Sequence, residues 1–146
     1  MNLISGWGLH NPVNVNIFKP YNHEDLEKII VNSRKNSLLA RGLGRSYGDA
    51  AQLKNKSVFS LYAFNHIYLN KEEGFITAGS GVSIDSLLKK IIPEGFFIPV
   101  SPGTRNVTIG GAIASDVHGK NHHLKGSFGN HIKEILLIDG KGNLKK

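Results

Sequence analysis

The sequence predicts an α+β fold, and three observations carry that prediction. Helical periodicity is confined to two segments. The stretches between them are short and rich in β-branched and aromatic residues, as strands are. Some of these strands meet through tight turns instead of alternating strictly with helices, which sets the pattern apart from a regular βαβ array.

Residues 22–36, NHEDLEKIIVNSRKN, read as the first helix. Asn22 is placed to cap it, Glu24 and Asp25 sit in the first turn where the helix dipole favours acids, and Leu26, Ile29 and Ile30 share one face. SLLA (37–40) is then a short strand that runs directly into the glycine-bearing stretch RGLGRSYGDA, residues 41–50. VFSLYAF (58–64), HIYLN (66–70) and FITAGSG (75–81) read as strands, with KEEG turning the chain between the last two. VSIDSLLKKIIP reads as the second helix, with Ser83 as its cap, Val82 and Leu87 spaced as a hydrophobic staple, and Pro93 near its end. FFIPV (96–100) follows as a strand, and TIGGAIASDV has the small residues of a helix start packed very close to a neighbour. HIKEILLIDGKGNL reads as a final strand with a turn at Asp139-Gly140. A return strand is expected after that turn, so the sequence predicts a domain truncated at its C-terminal side.

Composition removes several classes of function. With 146 residues, 40% apolar and 20% charged, the chain is long enough to bury a core unaided. It has no cysteine, so thiol catalysis, disulfides and cysteine-bound zinc do not arise. No segment approaches the roughly 18 to 20 apolar residues of a membrane span, and the N-terminal residues lack a signal-peptide pattern, which predicts a cytoplasmic protein. The net charge of +7 invites an anionic partner, yet the basic residues are scattered and no basic groove interleaved with aromatics is present, so nucleic acid is not expected.

The chemistry-bearing features are the glycines. Gly42, Gly44 and Gly48 interrupt one stretch, and Gly103, Gly110 and Gly111 interrupt SPGTRNVTIGGAIASDVHGKNHH, residues 101–123. Neither is a P-loop, and the G-x-G-x-x-G fingerprint fails because Tyr47 stands where its third glycine belongs. Glycines let successive N–H groups face inward as a phosphate-binding nest, and a helix start does the same. Each stretch alone reads more readily as a structural turn, by roughly two to one. Together, with Arg41, Arg45 and Arg105 nearby, they favour binding, and two nests suit a diphosphate better than a monophosphate. His118 and His122 have i, i+4 spacing, but Gly119 interrupts the helix that a metal pair needs and no H-E-x-x-H is present, so no metal is expected.

ARGLGRSYGDAAQ together with PGTRNVTIGGAIASDVHGKNHHLKGSFGNHI closely resembles the PCMH-type FAD-binding domain of the vanillyl-alcohol-oxidase superfamily. Within it the likeness is nearest to the decaprenylphosphoryl-β-D-ribose 2-oxidase branch, with the aldonolactone oxidases further off. It spans most of the chain, from FKPYNHEDL to ILLIDGKG. The resemblance implies two α+β subdomains with FAD between them. Arg41, Gly42, Leu43, Gly44, Arg45, Ser46, Tyr47, Gly48 and Asp49 would form the pyrophosphate loop, and Gly103, Thr104, Thr108, Gly110 and Gly111 the opposing wall. Ser115, Asp116, Val117 and His118 would line the flavin, with Tyr47, His118 and Lys120 as the catalytic candidates. Many members carry a histidine in the first loop that bonds covalently to the flavin. Arg45 stands at that place here, which implies non-covalent FAD.

The implied reaction is oxidation of a sugar carbinol, with hydride passing to flavin N5. Family enzymes also have a substrate domain, so the resemblance implies a missing C-terminal segment or a second chain. Membrane contact is implied only through a lipid-linked substrate. Two alternatives remain: an enolpyruvyl-UDP-sugar reductase, which shares the FAD domain, and a non-catalytic basic binding module.

Overall fold

The computed structural model describes residues 2–33 and 37–146. They form two compact units: Met1–Ala63 with Glu134–Lys146, and Phe64–Lys133.

The first unit is built on a four-stranded sheet. Its strands are β1 (Asn2–Ile4), β2 (Val13–Phe18), β3 (Leu38–Arg41) and β4 (Ser57–Ser60), in the order β1-β2-β4-β3. β1 runs antiparallel to β2, whereas β2, β4 and β3 are mutually parallel, with Ile17 opposite Val58 and Val58 opposite Leu39. Parallel strands of one sheet need a crossover, and α1 (His23–Asn32) supplies the one from β2 to β3, which lies on the far side of β4. Asn22 caps α1, its Oδ1 accepting the Asp25 N–H at 2.8 Å. The helix buries only Leu26, while Ile29 and Ile30 are half-buried. The part of the expected helix at 34–36 lies outside the described residues.

The second unit holds a larger core. β5 (Ile67–Asn70) and β6 (Phe75–Ala78) form an antiparallel hairpin through the KEEG turn, where Gly74 has φ +68°. α2 (Ile84–Ile91) starts at Ser83, whose Oγ accepts the Ser86 N–H at 3.0 Å, and it buries Ile84, Leu87 and Ile91. These pack with Val82, Ile98, Val100, Ile109, Ala112 and Phe128. α3 (Ile109–Ala114) and the short α4 (His122–Lys125) complete the unit.

Three expectations are corrected. FFIPV forms no strand; Ile98 and Val100 are buried as core side chains on irregular backbone. Residues 61–64 lie outside β4, which ends at Ser60. The C-terminal stretch, read as one final strand and a turn with its return strand missing, already contains a short return: β7 (Leu137–Ile138) pairs antiparallel with β8 (Leu144–Lys145). Asp139 makes that turn by accepting N–H bonds from Lys141 and Asn143, which hold its carboxyl well below the usual range.

Candidate functional site

The first glycine stretch leaves β3 at Arg41 and continues as irregular backbone. Gly44 is buried at φ +68°, a conformation that disfavours any residue with a Cβ. A Cβ there would also lie 2.2 Å from Arg41 Nη2. The Arg41 guanidinium is bound within the fold, donating to Ala51 O and Ser5 O, both at 2.6 Å, and its half-burial lowers its pKa. Arg41 therefore supports the loop from within. Arg45 lies over the Trp7 ring, 4.9 Å from its centroid. Among the described residues, the N–H groups of Leu43, Gly44, Ser46, Tyr47 and Gly48 donate no hydrogen bond. Five unpaired donors in one loop, one of them on a buried glycine, are the donor set an anion with several oxygens requires. Tyr47 and Asp49 are exposed on this loop.

The second stretch belongs to the other unit and behaves differently. Thr108 caps α3, its Oγ1 accepting the Gly111 N–H at 3.1 Å, while the Gly110 N–H donates to Ser80 O at 2.9 Å. Both amides assigned to an anion by the sequence are thus already used inside the fold. Gly110 serves close packing instead: a Cβ would sit 3.0 Å from Ser80 Cβ and 3.1 Å from Ser80 O. Arg105, expected to add positive charge, is paired with Asp85 at 3.0 Å, a carboxylate that also binds Lys89. Gly103 and Thr104 are exposed, and Thr104 Oγ1 accepts the Asn106 N–H.

Beyond α3 the chain turns sharply. Ser115 caps the helix end, and Asp116 takes φ +40°. The Asp116 carboxylate accepts the Gly129 N–H at 2.8 Å, and this bond, with the Ser127 hydroxyl, holds its pKa below the ordinary value. The Val117 carbonyl accepts the Phe128 N–H, and His118 bridges antiparallel to Ser127. The run 116–118 is therefore clasped to 127–129. His118 and Lys120 line an open cavity of about 630 Å³, together with Phe97, Pro99, Gly103, Asn121 and His122. The His118 and His122 rings meet edge-on at 5.2 Å. No group of three or more histidines, cysteines or carboxylates among the described residues is arranged to hold a metal ion.

With this geometry in view, residues 16–146 match the model of a protein family described as an FAD binding domain. The chain belongs to that family; it is a PCMH-type FAD-binding domain of the vanillyl-alcohol-oxidase superfamily, and its cofactor is FAD.

At the level of relatives, the chain is 38% identical over 146 residues to the decaprenylphosphoryl-β-D-ribose oxidase of Mycolicibacterium smegmatis, covering 97% of this chain and 32% of that protein. It is 28% identical to L-gulonolactone oxidase 3 of Arabidopsis thaliana, covering 84% of this chain and 22% of that one. Berberine bridge enzyme shares the fold, with a TM-score of 0.75 at 20% identity over 91% of this chain and 28% of that one. The chain thus spans about a third or less of the length of these proteins.

FAD fits the residues present: its pyrophosphate needs multiple N–H donors, and the loop at 43–48 offers them on a rigid base. Sequence reasoning missed what braces that base. Ser5, Gly6 and Trp7 contact the loop directly, and Gln52 is buried beside them. The signal was SGWG, two glycines around the single tryptophan, in the connection between β1 and β2.

Proposed function

We propose that this chain is the cofactor half of an FAD-dependent oxidoreductase that oxidises a sugar carbinol, of the polyprenyl-phosphate-linked or aldonolactone type. The observation that carries the reading is the glycine loop with its five unpaired N–H donors, set on a base made by Arg41. When bound, FAD would supply the hydride acceptor for oxidation of the carbinol carbon. The loop from Arg41 to Asp49 holds the pyrophosphate through its N–H groups. The segment from Gly103 to His118 provides further cofactor contacts through Thr104, Ser115, Asp116 and Val117, with Thr108, Gly110 and Gly111 fixing its backbone.

The imidazole of His118 takes the proton of the substrate hydroxyl, Lys120 provides a positive charge at the cavity wall, and Tyr47 orients the reacting group through its phenol. The likeness to a decaprenylphosphoryl-β-D-ribose oxidase supports a sugar substrate. The remaining substrate contacts come from polypeptide outside these residues, in the same protein or a second chain. No helix among the described residues is long and apolar enough to cross a membrane, so a lipid-linked substrate would meet this unit at the bilayer surface.

The test is a visible absorption spectrum of the chain after incubation with FAD and desalting, beside a Gly110→Asp variant. Flavin bands kept by the parent and lost by the variant are expected, because the aspartate collides with Ser80. A folded parent that emerges colourless would defeat the reading.

A further inference from the structure

We infer that residues 5–11 form an arch that holds the glycine loop in its cofactor-receiving form, and that Gln52 is the positioning residue that pins the arch. This inference rests on the FAD reading above. The arch lies outside the residues matched by the family model, which begins at 16.

The contacts are specific. Gln52 is 8% exposed; its Oε1 accepts the Gly6 N–H at 2.6 Å and its Nε2 donates to Asn11 O at 2.8 Å, so a single side chain grips both ends of the arch. Its own N–H donates to Asp49 O at 2.8 Å, which ties it to the end of the glycine loop. At the loop's start, Arg41 reaches Ser5 O. In the middle, the Trp7 N–H donates to Ser46 O at 2.8 Å. Gly6 lies so close that a Cβ would stand 2.3 Å from Gly48 O and 2.8 Å from Ser46 O.

Backbone strain points the same way. Leu9 and Asn11 adopt φ of +55° and +45°, and Leu9 is largely exposed, so its own side chain gives it no reason to do so. Such conformations persist where surrounding contacts over-determine them. Here those contacts are the two ends held by Gln52. The Ser46 carbonyl is held by the Trp7 N–H, which fixes the peptide plane that carries the Tyr47 N–H, and the Gly48 carbonyl packs against Gly6 of the arch.

The test compares the parent with Gln52→Ala, Gln52→Glu and Gly6→Ala, by FAD titration and by emission of Trp7, the only tryptophan in the chain. Gln52→Ala and Gly6→Ala should each weaken FAD binding about tenfold and shift Trp7 emission to the red before FAD is added. Gln52→Glu gives the readout that a merely structural residue would not. Burial raises the glutamate pKa, and only the protonated carboxyl can both accept from Gly6 and donate to Asn11. Its FAD affinity and Trp7 emission should match Gln52→Ala at about pH 8 and return toward the parent, measured in parallel, as pH falls to about 5. If the alanine variant does not fold, that titration carries the test. Parental FAD affinity in Gln52→Ala, FAD loss with unmoved Trp7 emission, or no recovery of Gln52→Glu at low pH would each overturn the inference. A parent that binds no FAD overturns the function instead, and the Trp7 shift without FAD still reports whether the arch is pinned by Gln52.

Discussion

At the scale of single residues, the site depends on side chains that serve the backbone before they serve a ligand. Gly44 shows this most directly. Gly44→Ala adds a Cβ at positive φ and against the Arg41 guanidinium, so Arg41 must leave Ser5 O and Ala51 O or the loop must move. The expected cost is about 1–3 kcal/mol, read by urea denaturation, with FAD retention reduced in the same variant. A variant with parental stability would mean that the loop accommodates a side chain that this geometry forbids. Asp116 offers a pH test. Its folded pKa is depressed by the Gly129 N–H and the Ser127 hydroxyl, so its contribution is fully present above the ordinary carboxylate value of about 4 and is lost as pH falls through the lower folded value. Thermal denaturation from about pH 6 to 2 should therefore show a steeper loss below about pH 4 in the parent than in Asp116→Asn. Equal slopes would mean that the clasp between 116 and 129 does not contribute. Neither structural role was legible in the sequence, because one-dimensional spacing does not reveal which carbonyl or amide will face a charged group.

At the scale of elements, local signals were legible where local chemistry decides and illegible where tertiary pairing does. Asn22 and Ser83 cap the helices that their positions predicted, because an N-cap needs only a short side chain and the next turn. The Gly74 turn was equally local. β1 and β2 went unread, since VNVNIF owes its strand to pairing with β4 across almost forty residues of sequence. FFIPV failed for the opposite reason: apolar run length cannot separate a buried strand from irregular backbone that buries its side chains. The same distinction governs α3. Its glycines were read as anion donors, yet the element is held by Thr108 at its start and by Ser80 beside Gly110. Thr108→Val should therefore destabilise the chain by about 1–2 kcal/mol, because the Gly111 N–H loses its acceptor at a buried cap. Chemical denaturation checks this, and an unchanged midpoint would show that α3 is set by packing alone.

For the whole molecule, the two units are unequal, and the glycine loop lies in the one with fewer buried apolar side chains. The second unit is one continuous segment around Val82, Ile84, Leu87, Ile91, Val100 and Ala112, all nearly inaccessible. The first is assembled from two separate stretches of chain, and its buried apolar side chains are Val15, Pro20, Leu26, Ala51 and Val58. Apolar burial is the main stabilising term, so the first unit should open at lower free energy than the second. Its glycine loop is held by side-chain hydrogen bonds from Arg41 and Gln52, each contributing only about 0.5–1.5 kcal/mol net, or up to about 3 where a charge takes part. Binding of FAD must then act unevenly. A ligand at a hundred times its Kd adds about 2.7 kcal/mol to the state that holds it, which slows exchange through opening of that state about a hundredfold. Hydrogen exchange followed by mass spectrometry should show β2, β3 and β4 exchanging faster than α2 in the free chain, with FAD slowing the strands far more than α2. Uniform protection in both units would mean that they open together, and the loop would then owe its form to the whole chain and not to the sheet and arch that surround it.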